Sequence, residues 1–366
     1  QMITSKGYPE ENHKVTTEDG FILTLQRIPR GRKGIYRAEK KEVVLLQHGL
    51  LGESTNFLDD LANESLAYIL ADSGADVWLA NSRGNSYSRA HVHLKPSQEI
   101  FWNWSSDEMA QYDLPAMVDY ITTKTGVSKI TYIGHSQGTL IGFGGFSQNK
   151  TLASKVKLFI ALAPIARLGH IKGPLHLISP LTKDLQKLEQ MLGKGEFMPH
   201  SKFDVFLAKD VCHPFGRLCD TGFFLTGGFD LGNLNKSRTP VYIAHNPSGT
   251  SVRNFIHYGQ VSTGCFNVEL DLNHADGNFK IPFYPQPTPP IYHPEDIETP
   301  IAVFHGGHDW LSDAIDVQWL LPKLKHLVYE KLISHWMHVD FIYGVDAPKQ
   351  CYKPIVQLIF NSTVTE

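Results

Sequence analysis

The segment KITYIGHSQGTLIGF, Lys129 to Phe143, contains Gly134-His135-Ser136-Gln137-Gly138, a G-x-S-x-G pattern. A β-branched run leads into it and an apolar segment of helical character leads out. That frame gives the pattern its weight, because a serine on a tight strand-to-helix turn stands clear of the sheet edge with its hydroxyl exposed. Glycines flank it because side chains there would strike the neighbouring strand and helix. The helix starting at Gln137 turns its free N–H groups toward the reacting centre. The chemistry predicted is nucleophilic attack by Ser136. A serine hydroxyl is a weak nucleophile without a base, and the base needs an orienting acid.

In sheets that present a serine this way, the acid and then the base follow it along the chain. After the run IAVFHGG come His308, Asp309 and Trp310, then Asp313. After HLVYEKLI come Ser334, His335, Trp336, Met337 and His338, then Asp340. Both clusters fall at strand C-terminal ends, where open α/β sheets place their sites. Asp309 directly follows the glycine turn and can fold back over the sheet. Asp313 belongs to the first turn of a helix, where a carboxylate simply suits the dipole. His335 and His338 are three apart, and residue chemistry alone separates them poorly; His338 is preferred as the one closest to the next helix. An oxyanion hole needs two backbone donors. One is the N–H of Gln137; the other belongs to His48-Gly49-Leu50, after the run VVLLQHG, where Gly49 lets the backbone approach closely. His48 precedes the serine and is read as a structural hydrogen-bonding residue.

These positions require a particular set of elements. HKVTTEDGFILTLQRIP reads as a hairpin turning at Asp19-Gly20. The short apolar runs at 43–49, 75–84, 129–134 and 155–166 read as strands of a mostly parallel sheet, buried on both faces. Helical spacing at 65–74, 105–126 and 137–148 alternates with them. Ser105 and Glu108 form a candidate capping box, and Gly126 a stop. The fold class is therefore α/β. From about 167 to 293 the pattern changes to amphipathic helices such as LTKDLQKLEQML, closing in PFYPQPTPPIYHPED, whose six prolines make an extended connection. The strand–helix pattern resumes with IAVFHGG, a helix near DAIDVQWLLPKL, HLVYEKLI, and a last helix from about Asp346 to Phe360. The predicted organisation is one sheet domain, 1–166 and 294–366, interrupted by an insertion at 167–293.

A chain of 366 residues with 42% hydrophobic and 19% charged residues buries a real core. Its formal charge of −3 supplies no basic field for nucleic acid. Protonating its 18 histidines would take the charge from −3 to −3 + 18 = +15, which is compatible with an acidic compartment. No run approaches the roughly 18 apolar residues of a spanning helix. The start, QMITSKGYPEEN, lacks a signal-peptide core, and an initial Gln points to a processed chain. Sequons at Asn63, Asn103, Asn149, Asn235 and Asn361 lean toward the secretory route, while Pro247 excludes Asn246. The four cysteines, Cys212, Cys219, Cys265 and Cys351, permit three pairings, and Cys212 and Cys219 bracket a short loop suited to a local bridge.

The blocks GYPEENHKVTTEDGFILTLQRIP, LQHGLLGES, ADVWLANSRGNSYSR, DEMAQYDLPA, YIGHSQGT, HNPSGTSVRN, GGHDWLSDAIDV and HVDFIYGVDAP, in this order over nearly the whole chain, resemble the gastric and lysosomal acid lipases of the α/β-hydrolase fold. The resemblance puts the nucleophile on Ser136, the acid on Asp309, the base on His338 and the oxyanion donors on Leu50 and Gln137. It implies hydrolysis of neutral lipid esters, triacylglycerols and in some members cholesteryl esters, at low pH, by a secreted or lysosomal glycoprotein. It departs at the Cys212–Cys219 loop, which is shorter than the family's, and at a cysteine absent near Gly227. The insertion then reads as a cap, with a lid at about 196–228. Phe203, Phe206 and Leu207 share one helical face there, and with Phe223 and Phe224 they would line an acyl pocket or touch a lipid surface. The expected partner is a lipid ester at an oil–water or membrane surface; no cofactor, metal or nucleic acid is expected. The alternatives are an esterase for small soluble esters and a non-catalytic lipid-binding protein on the same fold.

Overall fold

The structure is a computed structural model and describes residues 2–32, 42–173, 195–200, 232–262 and 292–361. A short helix, α1 (Met2–Ser5), precedes an antiparallel pair, β1 (Glu11–Thr16) and β2 (Phe21–Ile28). The hairpin forms where the sequence places it. Its loop spans 17–20, two residues longer than an Asp-Gly turn: the Thr17 N–H donates to the Phe21 carbonyl, and Gly20 alone takes positive φ, +96°. Next come β3 (Val43–Gln47), α2 (Leu66–Asp72), β4 (Asp76–Leu79) and the two-residue β5 (Ala90–His91). The helical stretch predicted over 105–126 opens with the capping box of Ser105 and Glu108, as α3 (Ser106–Glu108). It widens into a π turn over Met109–Asp113 and continues as α4 (Leu114–Thr125), closed by Gly126 at φ +76°. Pro115, which has no N–H to donate, sits where the regular pattern resumes. Then follow β6 (Ile130–His135), α5 (Gln137–Gln148), α6 (Lys150–Ser154) and β7 (Val156–Leu162).

Beyond the insertion, β10 (Ile301–Gly306) and β11 (Leu327–Ile333) complete the main sheet; β8 (Glu196–Phe197) and β9 (Thr250–Ser251) pair separately within it. Among the described residues the main sheet has nine strands, ordered β1-β2-β4-β3-β6-β7-β10-β11, with β5 beside β2. From β4 to β11 every neighbour is parallel, as the apolar runs require. Three strands end earlier than their apolar runs suggest. β3 stops at Gln47 and β4 at Leu79; the loop after β3 approaches Ser136, and the loop after β4 carries Arg83. β7 stops at Leu162, where Ala163 takes φ +48° and Pro164 follows.

Both faces of the sheet are covered. On one, Trp78, Tyr132 and Phe159 pack with Met117 and Ile121 of α4 and Phe143 and Phe146 of α5. On the other, Leu46, Val77, Ile133 and Phe304 pack with α2 and with Ile355 and Ile359 of the last helix, Lys353–Asn361. At about 1.5–3 kcal/mol per fully buried large apolar side chain, these two layers hold the sheet between its helices. The last helix begins later than the predicted Asp346, after a π turn over Pro348–Tyr352. Cys351 is a buried free thiol in that turn, and burial pushes its pKa up.

Of the insertion predicted at 167–293, only its borders and the pieces 195–200 and 232–262 are described, so its extent as a cap stays an expectation. Phe203, Phe206, Leu207, Phe223, Phe224, Cys212, Cys219 and Cys265 lie outside the described residues. The piece 232–262 sits against the loop after β3. The Arg238 guanidinium donates to the Asp59 carbonyl and the Tyr242 hydroxyl to Asp60.

Candidate active site

The three polar residues that the sequence spaces over two hundred positions meet at the C-terminal edge of the sheet. Ser136 joins β6 to α5 at φ 53°, ψ −117°, a conformation that costs a non-glycine residue about 1–3 kcal/mol. Its surroundings hold it there. The Ser136 N–H donates to the Leu162 carbonyl (3.0 Å), and the Thr139 N–H (2.8 Å) and hydroxyl (2.6 Å) donate to the Ser136 carbonyl. The flanking glycines are needed for space. A Cβ on Gly134 would lie 2.6 Å from the Gly138 carbonyl, and one on Gly138 would lie 2.5 Å from the Gln47 carbonyl in β3.

The Ser136 Oγ lies 2.7 Å from His338 Nε2. On the far side of the ring, Nδ1 lies 3.0 and 2.9 Å from the two carboxylate oxygens of Asp309. That carboxylate also accepts from the N–H groups of Leu311 and Ser312, both at 2.8 Å, so the turn after β10 fixes its direction. All three side chains are buried. The competing candidates are elsewhere. His335 is exposed and faces Asp346 at 3.3 Å. Asp313 caps the helix Ala314–Leu320, accepting from the Ile315 N–H, and pairs with Lys172 at 2.6 Å.

Gly49 brings the loop after β3 against the serine. A Cβ added there would lie 3.0 Å from Ser136 Cβ and 3.5 Å from its Oγ. Among the described residues neither the N–H of Leu50, next to Gly49, nor that of Gln137, next to Ser136, donates to a protein acceptor. Uncommitted backbone donors are what an oxyanion hole requires. His48 is structural: its Nδ1 donates to the Gly49 carbonyl (2.8 Å), and its Nε2 accepts from the Ser82 N–H (3.1 Å). Burial keeps it neutral, pulling its pKa down to about 4 against the pull of that carbonyl.

His135, the unassigned position of the serine motif, has a place that the spacing did not reveal. Its Nε2 donates to the backbone carbonyl of His338 (3.0 Å), tying the base loop to the serine turn. Burial, then the nearby His338, pull its pKa down to about 3. The signal was its position beside Ser136. A second unforeseen contact joins the side chain of Gln137 to Asn254, inside the HNPSGTSVRN block. Of the sequons, Asn63, Asn103 and Asn149 are exposed; Asn149 also caps α6 through the Leu152 N–H (2.9 Å). Asn235 is half-buried and its amide donates to Glu64 at 2.8 Å; the side chain of Asn361 lies outside the described residues.

Two family models match the chain: a partial alpha/beta-hydrolase lipase region over residues 1–61, and the alpha/beta hydrolase fold over residues 42–345. The chain is 47% identical to the gastric triacylglycerol lipase of Rattus norvegicus over 362 residues, covering 98% of this chain and 90% of that one. It is 45% identical to the lysosomal acid lipase/cholesteryl ester hydrolase of Homo sapiens over 361 residues, again 98% and 90%. The chain belongs to the gastric and lysosomal acid lipases of the α/β-hydrolase fold. This acid lipase is an ester-hydrolysing enzyme. The fold extends to more distant proteins: a soluble variant of monoglyceride lipase from Saccharomyces cerevisiae superimposes with a TM-score of 0.58 at 15% identity, covering 98% of the lipase and 99% of that chain. No helix among the described residues of the lipase is long and apolar enough to cross a membrane.

Proposed function

We propose that the enzyme hydrolyses neutral lipid esters, triacylglycerol and cholesteryl ester, in acidic medium, through an acyl-enzyme on Ser136. Ser136 attacks the ester carbonyl as His338 Nε2 takes its proton, and Asp309 holds the ring and stabilises the imidazolium. The N–H groups of Leu50 and Gln137 hold the oxyanion. His338 returns the proton to the leaving alcohol, and water repeats the sequence on the acyl-enzyme. One observation carries the reading: Asp309, His338 and Ser136 form a continuous hydrogen-bonded line at the C-terminal edge of the sheet.

The substrate class rests on the named activities of the relatives. The same names support a secreted or lysosomal location with glycans on the exposed sequons, Asn63, Asn103 and Asn149 first. Residues 167–293 act in this reading as a cap, with its lid at about 196–228. Phe203, Phe206, Leu207, Phe223 and Phe224 meet lipid there, and Cys212 and Cys219 close a loop. The test is hydrolysis of emulsified triacylglycerol and cholesteryl ester from pH 4 to 8, by the wild type and by Ser136→Ala. Turnover that rises when substrate passes its solubility limit, and is lost in Ser136→Ala, is expected. Saturation below that limit with no further rise would point to a small-ester esterase, and an undiminished Ser136→Ala would remove the mechanism.

A further inference from the structure

The segment 248–254 touches the neighbourhoods of both candidate oxyanion donors. The Ser248 N–H donates to the carbonyl of Leu51 (2.8 Å), and its hydroxyl donates to Glu53 (2.5 Å). Six residues on, Asn254 Oδ1 accepts from Gln137 Nε2 at 3.0 Å. Asn254 is itself held on every side. Its amide donates to the Thr250 hydroxyl at 3.0 Å, and its backbone N–H donates to the Ser251 hydroxyl at 2.9 Å. Ser251 in turn donates to the Trp104 carbonyl at 2.5 Å. Asn254 and Ser251 are both 0% exposed, and Gln137 is 2% exposed. A buried amide pair of this kind survives only if its hydrogen bonds are made, so it has one orientation.

Gln137 is the first residue of α5, and its backbone N–H follows the nucleophile directly. That N–H shares its peptide plane with the Ser136 carbonyl, which Thr139 holds at 2.8 and 2.6 Å from within α5, and the bond from Gln137 Nε2 to Asn254 adds a second hold from outside the helix. We infer that Asn254 is a positioning residue for the oxyanion hole: by clamping the Gln137 side chain, the inserted segment fixes the direction of the N–H beside Ser136. This rests on the assignment of Ser136 and Gln137 above. A preorganised donor helps the transition state more than the bound substrate, so losing the clamp lowers kcat and leaves KM nearly unchanged.

The test uses p-nitrophenyl butyrate, a soluble ester that needs no interface, with Asn254→Ala, Gln137→Met and the double variant, each assayed well below its melting temperature. Each single variant is expected to lose about 10- to 100-fold in kcat with KM within about twofold, as for a slightly misdirected group. The double variant is expected to be no slower than the slower single one, because both break the same contact. If Asn254→Ala does not fold, Gln137→Met and Thr250→Val decide, since the first removes the clamped side chain and the second the hydroxyl that orients the Asn254 amide. An unchanged kcat, a loss confined to KM, or additive losses in the double variant would overturn the inference. Ser136→Ala, run in parallel, separates the two claims. If it keeps turning over the ester, the catalytic reading has failed; if it is inactive and the clamp variants are unimpaired, only the role of Asn254 has.

Discussion

Asp60 sits under the piece 232–262, 3% exposed, accepting a hydrogen bond from the Tyr242 hydroxyl. Burial pushes its carboxyl from 3.8 up to about 7; Glu64 adds to this, while the Tyr242 hydroxyl, Arg238 and Lys6 oppose it. Asp59 beside it is pushed the same way, by burial, then by Glu53 and Asp60. Folded protein therefore keeps a proton on Asp60 that the unfolded chain releases near pH 4. With the folded value above the unfolded one, stability is full below about pH 4 and is lost as pH rises to about 7. Three units at about 1.4 kcal/mol each amount to about 4 kcal/mol over that window. Asp60→Asn retains an acceptor for Tyr242 and removes the titration. The assay is urea unfolding of wild type and variant at half-unit steps from pH 4 to 7.5, read as the difference in unfolding free energy. That difference cancels the titrating groups that do not interact with Asp60, and the Asp59 coupling travels with the Asp60 charge. It should shift toward the variant by about 4 kcal/mol between pH 4 and 7. A flat difference, or one moving toward the wild type as pH rises, would refute the assignment of a buried, protonated Asp60.

Asp309→Asn preserves shape but cannot hold His338 as the base; kcat on emulsified triacylglycerol should fall on the order of 10⁴-fold with the circular dichroism spectrum unchanged, and a loss below tenfold would argue against the pairing. Gly138→Ala drives a methyl against the Gln47 carbonyl 2.5 Å away. It should cost about 1–3 kcal/mol in urea unfolding and lower ester turnover; an unchanged midpoint with full activity would show that α5 does not need its close seat on β3. Glu53 behaves oppositely to Asp60: burial raises its pKa, but the hydrogen bonds of His245 and Ser248 outweigh it and leave the carboxyl below its usual range. Glu53→Gln should accordingly destabilise the enzyme more at pH 6 than at pH 3.5 by urea unfolding, and equal losses at both would reject that pairing.

Where the signal was local, the residues announced the structure. The capping box at Ser105, the stop at Gly126 and the run–turn–helix around Ser136 each depend on neighbours within a few positions. Strand ends were less legible, because an apolar run continues past the point where a loop must turn toward the site, as at Gln47, Leu79 and Leu162. His338 and His335 differ in nothing that spacing shows. Only the turn after β11, which sends one inward and the other to Asp346, separates them. The Asp59–Asp60 cluster was invisible for a related reason. Its neighbours Lys6, Glu64, Arg238 and Tyr242 are scattered along the chain and meet only in the fold. The clamp on Gln137 spans 117 positions and joins two residues that carry no charge.

In the proposed mechanism Ser136 is the group that forms the acyl-enzyme. The direct measurement is reaction of the folded enzyme with an alkyl fluorophosphonate, followed by peptide mass mapping, alongside His338→Ala and Ser136→Ala. A single adduct on the peptide carrying Ser136, formed far more slowly in His338→Ala and absent in Ser136→Ala as ester turnover disappears, is the predicted result. An adduct at another residue that abolishes turnover while Ser136 stays unmodified would contradict the account.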